Sequence, residues 1–179
     1  TTQPPASTAP PGEACEPAPY VDCRNGDLSN RVVIPSDLSY ATLDGANLSS
    51  SILFYGNLRG ASLKGANLTS ATLVNSDMAQ ADLRFANLTS TNLTGSLLYG
   101  ANLTNANLTD ASLARSNLYL ATTTGAYMDD AGPTDGRLSL TTIDGTTRYW
   151  AMRSGSGIQS ANLTNAFHHM AASGLRPDL

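Results

Sequence analysis

From residue 36 to residue 130 the apolar positions fall at every fifth residue, with no insertion. Sixteen of the nineteen repeat centres are Leu, beginning at Leu38, and the others are Met78, Thr123 and Met128. Two residues ahead of each centre the side chain is small: twelve Ala, five Ser, Gly56 and Thr91. An amphipathic helix repeats apolar residues about every 3.6 positions and a strand about every 2, so a period of five fits neither. A fixed period marks a solenoid, in which each short unit buries its apolar side only against its neighbours. The centre and the small residue are expected inside, and the other three positions outside.

Ala46-Asn47-Leu48, Ala66-Asn67-Leu68, Ala81-Asp82-Leu83, Ala86-Asn87-Leu88, Ala101-Asn102-Leu103 and Ala106-Asn107-Leu108 follow the motif Ala-(Asp/Asn)-Leu-x-x. Over about half of the chain the sequence resembles the pentapeptide-repeat family. The resemblance implies an all-β solenoid, a right-handed quadrilateral β-helix in which each pentapeptide forms one side of a square. Nineteen repeats then make about five coils, stacked about 4.8 Å apart. The expected organisation is a Pro-rich N-terminal arm over 1–25 with a Cys15–Cys23 loop, a β-helix over 26–130, and a cap or assembly region over 131–179.

Charge changes this picture little. The chain carries a formal net charge of −4, and its repeats hold seven Asp against Arg59, Lys64, Arg84 and Arg115. No basic patch suits nucleic acid, and no apolar run is long enough to span a bilayer. The opening residues are rich in Pro, Thr and Ala, which favour extended backbone and make no core. Thr1 at the start fits a mature, cleaved form, and the arm is expected to pack on its own solenoid or a neighbouring subunit. Cys15 and Cys23 are the only cysteines. In a secreted protein they close a loop capping the first coil, and in a reducing compartment they are free thiols. The Pro-rich arm and the sequons below favour the disulfide.

Asn-x-Ser/Thr sequons occur at Asn47, Asn67, Asn87, Asn92, Asn102, Asn107 and Asn162. Each one within the repeats places Asn just before an inward Leu, so its side chain faces out. Asn47, Asn67, Asn87 and Asn107 are twenty residues apart, which stacks them on one side of a four-sided coil. Three readings compete: a by-product of the repeat motif, an amide ladder from coil to coil, and N-glycosylation of a secreted surface. The motif also accepts Asp, yet Asn dominates, and this weakens the first. Sugars on successive coils would be crowded at about 4.8 Å, so they pack as a sheath or occupy only some sites. Asn92 and Asn102 stand on other sides.

After residue 130 the pattern fades at Gly132-Pro133. Residues 138–143 and 146–152 around Asp144-Gly145 read as a β-hairpin, and 161–173 as a short helix ending before Gly174. These elements cap the last coil or leave its edge open for another molecule. Tyr149 and Trp150 are the candidate anchors of such a contact. Asp129, Asp130 and Asp135 match no familiar calcium loop, and His168 and His169 are adjacent and badly placed to chelate together. No Gly-x-Ser-x-Gly, His-Glu-x-x-His or Cys-x-x-Cys motif is present, so the chain is expected to be neither an enzyme nor a cofactor or metal protein.

The leading expectation is a secreted, N-glycosylated structural solenoid, self-associating head to tail into an extracellular fibre. The alternative is a monomeric extracellular binding module. The family resemblance adds a third, a DNA-mimicking rod that binds a type II topoisomerase, but the weak acidity of the repeats departs from a duplex-like field.

Overall fold

The computed structural model describes residues 15–33, 36–129 and 148–150. The residue ahead of each centre forms a parallel bridge with the residue twenty positions further on, from Asp22↔Thr42 to Asn107↔Tyr127. Twenty residues at five per side give a four-sided coil. The bridged rows run for about five and a half coils and begin at Asp22, four residues ahead of the expected boundary at 26. In mid-rod each side donates two backbone hydrogen bonds to the coil above, from the centre and the corner residue, and one to the coil below. Leu68 N–H donates to Asn87 O at 2.7 Å, and Asn67 N–H donates to Ala46 O at 2.9 Å.

The corners explain the period of five. The N–H of each small residue donates to the carbonyl of the preceding centre, as Ala46 does to Leu43 at 3.0 Å. Every described residue two places after a centre has positive φ, from Tyr20 (57°) to Gly125 (68°). This is the third position of a type II turn. Fifteen of these corners are not glycine, and each costs about 1 kcal/mol of backbone strain. Burial of the centres offsets this at roughly 1.5–3 kcal/mol for each Leu.

The centres form four inward columns. Face A stacks Cys23, Leu43, Leu63, Leu83, Leu103 and Thr123, and face B stacks Leu28, Leu48, Leu68, Leu88, Leu108 and Met128. Face C stacks Val33, Leu53, Leu73, Leu93 and Leu113, and face D stacks Leu38, Leu58, Met78, Leu98 and Leu118. All are buried, and the small residues between the columns are buried with them. Where these small residues carry hydroxyls the backbone satisfies them, except at Ser36, whose buried Oγ has no partner among the described residues. Ser76 donates to Leu53 O at 2.8 Å, Thr91 to Leu68 O at 2.7 Å and Ser96 to Leu73 O at 2.7 Å.

The N-terminal end is closed by residues that break the repeat. Gly26 stands where Ala is usual, and a Cβ there would lie 3.3 Å from Cys15 Cβ. Arg31 also stands at a small-residue position. Its guanidinium reaches Cys15 O at 2.6 Å and Glu16 at 3.4 Å. Cys15 is joined to Cys23, with Cα atoms 5.9 Å apart, inside the usual range for a bridged pair.

At the other end, β1 (Tyr127–Asp129) pairs in parallel with β2 (Arg148–Trp150), with Met128 opposite Tyr149. Of the expected strand at 146–152, residues 148–150 are described; they are strand and extend the solenoid's parallel ladder, because the edge of the last coil offers ready backbone partners. Tyr149 and Trp150 lie on β2. The hairpin's other arm at 138–143, the helix at 161–173, Asn162, the paired histidines, Asp130 with Asp135, and residues 1–14 of the arm lie outside the described residues.

Leu83 is fully buried in mid-column. Leu83→Ala is expected to cost about 2–5 kcal/mol in urea unfolding, and Leu83→Asp to destroy the cooperative transition by placing an unpaired charge in a dry column. Gly60 and Gly65 share the same backbone, but a Cβ on Gly60 meets the Tyr40 ring at 2.6 Å while one on Gly65 meets nothing within 4 Å. Gly60→Ala should therefore be clearly the more destabilising of the two by thermal unfolding.

Candidate functional site

Among the described residues no group of three His, Cys, Asp or Glu side chains is placed to hold a metal, and no helix is long and apolar enough to cross a membrane. Chemistry toward other molecules therefore falls to the outer faces, where each position repeats as a column.

Face B carries Asn47, Asn67, Asn87 and Asn107, bridged one to the next. Each Asn Oδ1 accepts two bonds from the residue two places on. Thr89 N–H reaches Asn87 Oδ1 at 3.1 Å and the Thr89 hydroxyl reaches it at 2.7 Å. Ser49, Thr69 and Thr109 repeat the pattern on Asn47, Asn67 and Asn107. Such a side-chain turn suits short polar residues before a bend, and it fixes the amide so that Nδ2 is the end turned away. Only Asn67 Nδ2 engages a neighbour in this column, donating to Asn47 Oδ1 at 3.3 Å. The amide ladder is thus a single rung in the described column. Asn102 repeats the double bond with Thr104 on face A. Asn92, on face C, keeps only the Thr94 N–H, because the Thr94 hydroxyl pairs with Ser112 at 3.0 Å.

Face A is a self-neutralising column. Lys64 Nζ lies 3.7 Å from Asp44 and 3.6 Å from Asp82, and Arg84 forks onto Asp82 at 2.9 and 2.8 Å. Partial burial pushes the Asp82 carboxyl up, but the Arg84 hydrogen bonds and the charges of Arg84 and Lys64 outweigh it and hold it below its ordinary value. On face D, Arg59 pairs with Asp77 at 3.5 Å. The field that results is patchy and short-ranged, unlike the uniform negative field of a duplex.

Faces C and D carry residues that sequence reasoning missed. Val32, Ile52, Phe54, Tyr55 and Val74 stand together on the outside of face C, with Val32 68% and Tyr55 75% exposed. On the corner after face D, Tyr20 stacks on Tyr40 at 5.3 Å, and on the face itself Tyr99 stacks on Tyr119 at 5.7 Å. Folding the sequence on a period of twenty would have revealed both, since residues 32 and 52, 54 and 74, and 99 and 119 share a column. Arg31 had no such signal, because its role arises where the repeat ends.

The fold is an all-β, four-sided solenoid whose outer columns, rather than a pocket, define its chemistry. A model of the family described as Pentapeptide repeats matches residues 36–69, 61–98, 86–122 and 96–131, with 8 copies. The chain belongs to the pentapeptide-repeat family, and its coil is that family's right-handed quadrilateral β-helix. No curated protein matches it in sequence. Among solved structures it is similar to HetL, a pentapeptide repeat protein involved in heterocyst differentiation regulation from the cyanobacterium Nostoc sp. strain PCC 7120. That likeness has 24% identity over 82% of this chain and 77% of that one, with a TM-score of 0.43. Rfr23 from the cyanobacterium Cyanothece 51142 is 32% identical over 55% of this chain and 64% of its own, with a TM-score of 0.44. Full-length QnrB1, a plasmid-mediated fluoroquinolone resistance protein, is 13% identical over 84% of this chain and all 100% of its own, with a TM-score of 0.31. None of these likenesses carries information on partners.

Because the Asp82 carboxyl is held low in the fold, its contribution is present at neutral pH and is lost as pH falls through the folded value. Unfolding free energies of the parent and Asp82→Asn from urea titration should differ at about pH 7 by about 1 kcal/mol or less, as for exposed pairs, and converge as pH falls through the lowered folded value of Asp82.

Proposed function

We propose that this chain is an exported structural rod that carries N-linked glycans on its asparagine columns and associates end to end. The observation that carries the reading is face B, where Asn47, Asn67, Asn87 and Asn107 repeat once per coil. In each, the sequon hydroxyl and amide fix Oδ1, and Nδ2, the atom that takes a glycan, lies at the outer end. Nothing in the core requires Asn there: Asp82 makes the equivalent backbone bond to Arg84 on face A. The Cys15–Cys23 pair supports the same reading, because structural disulfides persist in oxidising compartments.

The two ends of the rod differ, as head-to-tail contact requires. The last coil continues its ladder into β2. The first coil presents Asp22, Asp27 and Asp37 on its outer rim together with the Cys15 closure. Charged edges resist direct strand pairing, so the contact between molecules is assigned to the terminal segments rather than to bare backbone edges. A second reading, a discrete extracellular binding module, draws on the exposed apolar group of face C around Phe54 and Tyr55.

Intact mass spectrometry on material from the natural source tests the main reading. Hexose-containing mass on face B peptides, with both cysteines oxidised, is the expected result. A bare polypeptide with free thiols would sink it. Negative-stain images of the same material should show long filaments; uniform short particles would favour the binding module.

A further inference from the structure

Face B is regular except at one place. The corner residue two positions ahead of each sequon Asn is Gly45 before Asn47, Gly65 before Asn67 and Asn105 before Asn107, but Phe85 before Asn87. Phe85 holds a positive φ of 60°, a position where a bulky residue is strained for no local return. Its ring is 64% exposed. It joins neither aromatic stack of the described residues.

Asn87 is also the odd member of its column. It is exposed, whereas Asn47, Asn67 and Asn107 are half-buried. Its Oδ1 is fixed by Thr89, and its Nδ2 has no hydrogen-bond partner among the described residues, unlike that of Asn67. Ala86 between them is buried, while Phe85 at the corner and Asn87 on the side that follows it are both exposed.

We infer that Asn87 is a built glycan site, in which the first pyranose of an N-linked glycan lies with its apolar C–H face on the Phe85 ring. The inference rests on the glycosylation reading given above and adds which sequon the fold is shaped for. In the transfer, Nδ2 of Asn87 forms a bond to the anomeric carbon of a lipid-diphosphate-linked oligosaccharide. The bond from that carbon to the diphosphate breaks, the diphosphate leaves with the electron pair, and Nδ2 gives up one proton. Once attached, the sugar covers apolar ring area that water otherwise contacts, and this is the source of the gain. Coils lie about 4.8 Å apart, so a sugar seated at Asn87 also crowds Asn67 and Asn107. Asn87 is therefore the most fully occupied position of the column and its neighbours the least.

The test uses the full chain produced through a eukaryotic secretory route, with Phe85→Ala and Phe85→Tyr beside the parent. Peptide-level mass spectrometry gives occupancy at each sequon. NMR of the secreted protein gives the shifts of the sugar protons, and thermal unfolding is followed before and after enzymatic glycan removal. The expected result is highest occupancy at Asn87, sugar protons moved upfield by the ring, and a fall in Tm on deglycosylation. Phe85→Ala should lose the upfield shift and the Tm difference, and Phe85→Tyr should keep both. A chain glycosylated at Asn87 with no ring-shifted sugar protons, or one whose Tm difference survives Phe85→Ala, overturns the inference while leaving glycosylation standing. A chain bare at every sequon overturns both.

Discussion

Everything in this molecule follows from one constraint: successive coils are spaced as neighbouring strands, so each residue stands on the residue twenty positions before it. Inside, the constraint selects Leu, whose unbranched Cβ lets one side chain sit on another down a narrow column. Outside, it forces every column to tolerate stacking on itself. Like charges at about 4.8 Å repel, and where Lys64 and Arg84 stack on successive coils, face A answers with Asp44 below Lys64 and Asp82 in the adjacent column between them. Large corner side chains need room above them, and Tyr40 lies over Gly60. Uncharged amides and hydroxyls stack without penalty, and face B uses them on four coils in succession.

The same constraint decided what the sequence could reveal. A period of five with small residues at a fixed offset is visible without coordinates, and it carries the coil, the inward columns and the facing of the asparagines. The start of the ladder was hidden because its first coil is irregular. Cys23 and Val33 replace Leu, and Gly26 and Arg31 replace Ala; Cys23, Gly26 and Arg31 each meet the Cys15 segment. The apolar group on face C was hidden because Val32, Ile52, Phe54 and Val74 are scattered in sequence and meet only when the chain is wound on twenty. Arg148–Trp150 read correctly as strand, but propensity gives no partner, and the pairing with the last coil's edge was not legible in the sequence.

A fold of this kind separates its stability from its surface. The inner columns and the backbone ladder hold the rod, and the outer three positions of each repeat vary without touching them. A glycan coat on face B, an ion-pair ladder on face A and an apolar group on face C can therefore coexist on a rod little wider than two side chains. Such a body suits display and spacing better than catalysis, which needs groups converging on one point.

The most direct test of the glycan-coated rod is a cryo-electron-microscopy map of material from the natural source. The account predicts branched density rising from the asparagine side of face B, attached at the coil that contains Asn87, on a four-sided rod with a twenty-residue coil. A map with the same rod and a bare face B would contradict it, and would leave the asparagine column as a feature of the repeat alone.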